Sequence, residues 1–91
     1  MNKTEALQAA ISAVAERGEN YGAVRENHQR IASLWSVVFG QTVTPEQVAL
    51  AMTCLKVARL IETPDHEDSW VDIAGYGACG AEIATEWSDD G

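Results

Sequence analysis

Apolar residues recur at three-, four- and seven-residue intervals through most of the chain, and glycine and proline divide the pattern into four segments. Leu7, Ile11 and Val14 mark one face of a first helix, predicted from about Thr4 as N-cap to Glu16, with Gly18 as its stop. The stretch RGENYG (17–22) reads as a short connection. A second helix is predicted from near Ala23, with Val24, Ile31, Leu34, Trp35 and Val38 opposite the polar Arg25, Glu26, Gln29 and Arg30, ending at Gly40. Thr44, Pro45 and Gln47 combine an N-cap, a proline in the first turn and a capping-box partner, so a third helix starts there and runs to about Ile61. Val48, Leu50, Met52, Leu55, Val57, Leu60 and Ile61 surround most of its circumference, which predicts that it is the buried centre. Pro64 ends it. Asp65 is the candidate cap of a fourth helix from near His66 to about Trp87, with Glu67 and Asp68 favourably placed in its first turn.

These elements define an all-α fold, a single domain over residues 1–91 built on four helices with a central antiparallel hairpin of the third and fourth. Gly75, Gly77 and Gly80, with Ala74, Ala78 and Ala81, leave the fourth helix a surface nearly without side chains. Each glycine costs about 1 kcal/mol against alanine in an exposed helix, so close approach of another helix is the physical use for them. A break near Gly77 is the competing reading. A domain this short leaves much apolar surface uncovered, and homo-oligomerisation through the third and fourth helices is the expected remedy.

Charge narrows the partners. Fourteen acidic residues against six basic ones give a net charge of −8, which excludes nonspecific binding of long nucleic acid but not a local cationic pocket for a small phosphorylated ligand. Lys56, Arg59 and Glu62 interrupt the longest apolar run, so no membrane span is predicted, and the N-terminal segment lacks a signal-peptide pattern. A cytosolic protein with Cys54 and Cys79 both reduced and buried is expected.

In an antiparallel hairpin turning at Thr63 to Asp65, positions whose numbers sum to about 128 become neighbours. Lys56 then meets Asp72, and Arg59 meets Asp68 or Ser69, while Asp68 and Asp72 share a helix face. Such a cluster can be an ion-pair network that fixes the register of the hairpin. It can equally be a ligand site, because Lys and Arg one turn apart suit a phosphate, one as a point charge and the other as a planar fork.

The segments RGENYGAVRENHQRIASLW and LKVARLIETPDHEDSWVDIAGYGA resemble a family of small phage proteins related to the MazG-like all-α nucleotide pyrophosphohydrolases. The likeness runs from about Arg17 to Glu82 and is carried by Arg17, Gly18, Tyr21, Gly22, Lys56, Arg59, Asp68, Asp72, Gly75 and Tyr76. In MazG-like enzymes, glutamate clusters on two helices hold magnesium that activates water against a nucleoside triphosphate. Here Asp68 and Asp72 keep an altered second element. The first is replaced by Met52, Cys54, Leu55, Lys56 and Arg59, and cations in that place work against a metal.

The resemblance therefore implies a non-enzymatic nucleotide-binding protein of the host cytoplasm that needs no cofactor. As a homo-oligomer it would sequester a nucleotide, such as a cyclic immune signal, in the manner of an anti-defence sponge. Its ligand-binding residues are expected to be Lys56, Arg59, Arg17, Tyr21, Arg25, Asp68 and Asp72, with Tyr21 stacking on a base while Arg17 and Arg25 reach phosphate. Two alternatives stay open: a divergent magnesium-dependent pyrophosphohydrolase using Asp68, Asp72, Glu67 and Glu26, and a structural interaction module. His28 on its half-apolar helix is read as structural, His66 as solvated in the turn, and Trp35 and Trp70 as core or interface residues.

Overall fold

The computed structural model describes residues 1–85. Among them are four helices and no strand: α1 (Lys3–Tyr21), α2 (Val24–Phe39), α3 (Pro45–Glu62) and α4 (Glu67–Thr85). The expected extension of α4 to Trp87 and the tail beyond it lie outside the described residues.

Helix starts follow local chemistry. Thr44 caps α3 as anticipated, its hydroxyl accepting from the Gln47 amide while the Gln47 side chain accepts from the Thr44 amide. At α1 the cap is Asn2 and not Thr4, because Asn2 forms the reciprocal box with Glu5. Gly18 does not stop α1. The helix runs through it to Tyr21 and ends at Gly22, whose φ of 84° and ψ of −164° lie in a region that essentially only glycine enters. Gly40 closes α2 in the left-handed region, and Ser36 Oγ then accepts from the Val43 amide to tie down the turn into α3.

α4 is the centre of the domain, correcting the expectation for α3. It packs against both α3 and α1 and buries Ser69, Val71, Gly75, Tyr76, Cys79 and Ile83. On α3 only Val48, Ala49 and Leu60 are buried, while Leu50 and Ile61 are 66% and 79% exposed. Hydrophobic residues all around a helix do not reveal which of them the chain itself can cover.

The glycines of α4 explain its position. A Cβ on Gly75 would lie 3.6 Å from Val14 of α1, and one on Gly80 would lie 3.4 Å from the Ala49 Cβ of α3, so small residues admit a neighbour on either side. Gly75 therefore admits the close approach of another helix that was expected of it, and that helix is α1 of the same chain. α4 is continuous through Gly77, where an added Cβ would meet nothing within 4 Å. Of the two free thiols, Cys79 is buried and Cys54 is exposed, against the expectation for the latter. No described helix is long and apolar enough to cross a membrane.

Candidate functional site

The α3–α4 hairpin brings together one of the two anticipated charge pairs. Lys56 Nζ lies 3.0 Å from Asp72 Oδ2, with side chains 17% and 24% exposed. Arg59 and Asp68 are both exposed and form no ion pair with each other. They sit near the turn, where none of the described residues covers them and water screens the attraction.

The third member of the cluster comes from α1. Arg17 places its guanidinium carbon 4.7 Å from the centre of the Tyr76 ring, and it lines a cavity with Asp72, Gly75, Tyr76 and Cys79 just large enough for about one water. Burial works against the charge on Arg17. The adjoining Tyr76 and the Asp72 carboxylate outweigh it, so the pKa stands above its ordinary value and the group stays cationic. Among the described residues Arg17 is in no ion pair. Burial likewise pushes the Cys79 thiol up, with Arg17 opposing the shift and Glu82 adding to it.

Arg17 also faces the other way. With Gly18, Tyr21, Asn27 and His28 it lines a second small cavity. That cavity shares Val14, Gly18, Gly22, Val24 and Cys79 with an open cleft of about 340 Å³ between α1, the start of α2 and the last turns of α4. Pockets for small ligands begin at about 300 Å³, so the cleft has room for one. Gly18, Gly22, Ala23 and Ala78 make its walls low, and Glu82 adds a carboxylate. α2 enters it without a side-chain cap.

The remaining anticipated residues scatter. Tyr21 is 59% exposed at the mouth of the second cavity, away from Lys56. Arg25 donates from Nη2 to the Ile83 carbonyl at 2.7 Å, fastening α2 to the end of α4. His28 is buried with Nδ1 3.0 Å from the Val24 carbonyl oxygen, which fits its structural assignment. His66 is not simply solvated: its Nδ1 lies 2.8 Å from Ser69 Oγ in the first turn of α4, where Asp65 was the expected cap. Trp70 is exposed and donates from Nε1 to the Pro64 carbonyl, while Trp35 is half-buried.

Because α2 meets α4 at Ile83, it does not cross the beginning of α4. Glu26, Glu67, Asp68 and Asp72 therefore do not converge, and among the described residues no three His, Cys, Asp or Glu side chains could hold a metal ion. Tyr76 was noted in the sequence but not assigned to the site. Its spacing from Asp72, one helical turn, was the available signal.

Fold and site together define a small helical bundle carrying a half-buried cationic–aromatic cluster behind an open cleft. The chain belongs to the family described as Domain of unknown function (DUF6378), whose model matches residues 5–84. It is 50% identical over 62 residues to the Gene 55 protein of Mycobacterium phage L5, covering 67% of this chain and 40% of that protein. It is 41% identical over 71 residues to the Gene 55 protein of Mycobacterium phage D29, covering 78% of this chain and 47% of that one. The chain thus spans less than half the length of these relatives. No solved structure matches it.

Proposed function

We propose that this domain is a non-catalytic binder of a small phosphorylated ligand, a nucleotide, held in the cleft between α1, α2 and α4. The observation that carries this reading is Arg17. It is a guanidinium kept charged, laid on an aromatic ring and in no ion pair among the described residues, lining a small cavity that shares five residues with the adjoining cleft of ligand size. A cation so placed has a fork of donors to offer a phosphate. Tyr21 lines the smaller cavity beside the cleft, where a base could stack on its ring, and Ala23 and Val24 at the start of α2 line the cleft, a position in which a helix N-terminus favours an anion. Asp72 holds Lys56 on one side and faces Arg17 on the other, so Lys56 acts as a positioning residue and not as a direct contact.

The similarity of Arg17 to Glu82 to the MazG-like scaffold supports a nucleotide over other phosphates, and phage relatives support a role in the host cytoplasm. Sequestration of a signalling nucleotide, cyclic or linear, is the use such a binder has when it lacks converging carboxylates. The experiment is a calorimetric titration with a panel of linear and cyclic nucleotides, with and without magnesium, followed by chromatography of the recovered ligand. Saturable binding lost in Arg17→Ala, with the ligand recovered intact, is the expected result. Magnesium-dependent turnover abolished by Asp72→Ala would overturn it in favour of the pyrophosphohydrolase.

One observation favours a second reading, that of a structural module. Lys56 and Asp72 satisfy each other across the hairpin, and Arg17 on Tyr76 staples α1 to α4. On this reading Arg17→Ala lowers stability and no nucleotide in the panel binds the unaltered protein.

A further inference from the structure

We infer that the outer face of α3 is a self-association surface, on which a second copy of this chain packs antiparallel about a two-fold axis. Leu50, Cys54, Val57 and Ile61 follow one another at intervals of four, three and four residues, and all are exposed. That spacing is the seam of a helix pair. Ala51 and Ala58, also exposed, flank it on one side and let two backbones approach closely.

On the other flank lies an apolar groove of about 270 Å³, bordered by Leu50 and Thr53 of α3 and by Gly77 and Gly80 of α4. Gly77 is the α4 glycine whose added Cβ would meet nothing within 4 Å among the described residues. A neighbouring side chain seated in the groove gives it a use. Ile61, 79% exposed, is the residue of the stripe that projects most and the one to fill it.

The occupant is a second copy because the stripe is complementary to itself. An axis passing between Leu55 and Lys56 pairs Leu50 with Ile61 and Cys54 with Val57, leaving no apolar member of the stripe unmatched. No charged group lies on the stripe between Leu50 and Ile61, and Glu46, one turn before Leu50, borders the groove at its edge. A standard interface takes about 800 Å² from each partner. Leu50, Val57 and Ile61, 66%, 44% and 79% exposed, and the apolar groove beside them supply the centre of such an interface. No residue of the stripe lines the cleft in front of Arg17, so the inference stands apart from the nucleotide proposal.

The test is light scattering of the full chain during size-exclusion chromatography, together with bis-maleimide crosslinking through Cys54. The expected particle has twice the 9.8 kDa chain mass. The two Cys54 side chains should crosslink, because paired helices lie about 8–10 Å apart, and buried Cys79 should not. Leu50→Glu and Ile61→Glu should each give single chains of unchanged helix content, because both side chains are already mostly in water. Gly77→Leu, whose Cβ meets nothing within 4 Å among the described residues and whose side chain would occupy the groove, should weaken association at least tenfold. A wild-type chain that stays single at its highest soluble concentration would overturn the inference. So would an oligomer that survives all three substitutions and forms no Cys54 crosslink.

Discussion

Neutralising Asp72 should cost more stability than neutralising Lys56, and the two effects should be strongly non-additive. Lys56 Nζ and Asp72 Oδ2 are 3.0 Å apart, and both side chains are less than one quarter exposed. At that distance the gross attraction is about 5 kcal/mol for an effective dielectric constant of about 20. Desolvation removes most of it. Exposed pairs couple by about 0.2–1 kcal/mol, and breaking a buried pair costs about 3–5 kcal/mol. The partial burial here places the coupling between those limits, at about 1–2 kcal/mol.

Asp72→Asn leaves two cations, Lys56 and Arg17, beside an amide, and should cost about 2 kcal/mol, since removing one partner strands the other. Lys56→Met keeps the packed methylenes and leaves Asp72 facing Arg17, so it should cost about 1 kcal/mol. For a domain of this size each kcal/mol moves Tm by about 4–8 °C. The assay is urea denaturation of both single variants and the double variant, followed by circular dichroism at one fixed protein concentration, because association would otherwise shift the midpoints. A coupling within about 0.3 kcal/mol of zero, the range in which independent sites add, would refute the pairing as an energetic link between α3 and α4.

Three further outcomes follow from the packing. In the single-chain Leu50→Glu variant a thiol-reactive dye should label Cys54 at once and Cys79 only when the chain is unfolded. Because burial raises the Cys79 pKa, the stability held in its neutral thiol is fully present at neutral pH and is lost as pH rises through the folded-state value; equal labelling of both thiols in the native protein would contradict this. Gly80→Leu should destabilise by about 1–3 kcal/mol or more, because its Cβ already touches Ala49, whereas Gly77→Ala should stabilise the isolated fold by up to about 1 kcal/mol in thermal melts. Gly22→Ala should cost about 1–3 kcal/mol in the same melts, since the backbone there sits where only glycine is unstrained.

Local chemistry was legible in the sequence wherever a few neighbouring residues decide the outcome. Thr44, Pro45 and Gln47 carried the start of α3 unambiguously, and the short turn at Pro64 was enough to place Lys56 against Asp72. The end of α1 was not legible, because a glycine inside a helix costs little enough for packing to override it, as at Gly18. The ranking of α3 and α4 failed for a different reason. Apolar residues around α3 marked surface needing cover, but only the small residues of α4, matched to Val14 and Ala49, show which helix the chain can surround. Arg17 and Tyr76 lie almost sixty positions apart, and no periodicity links α1 to α4. The site therefore appeared in the sequence as separate halves, with Arg59 and Asp68 included because they share helix faces with residues that do meet.

The central claim is that Arg17 presents its charge to a phosphorylated ligand that the domain holds without cutting. The most direct measurement is mass spectrometry of what heat-denatured protein releases after purification from phage-infected or nucleotide-signal-producing cells, compared between the unaltered chain and Arg17→Ala. The account predicts an intact nucleotide in near-stoichiometric amount from the first and none from the second. Release of only cleaved product, of no nucleotide at all, or of equal amounts from both proteins would contradict it.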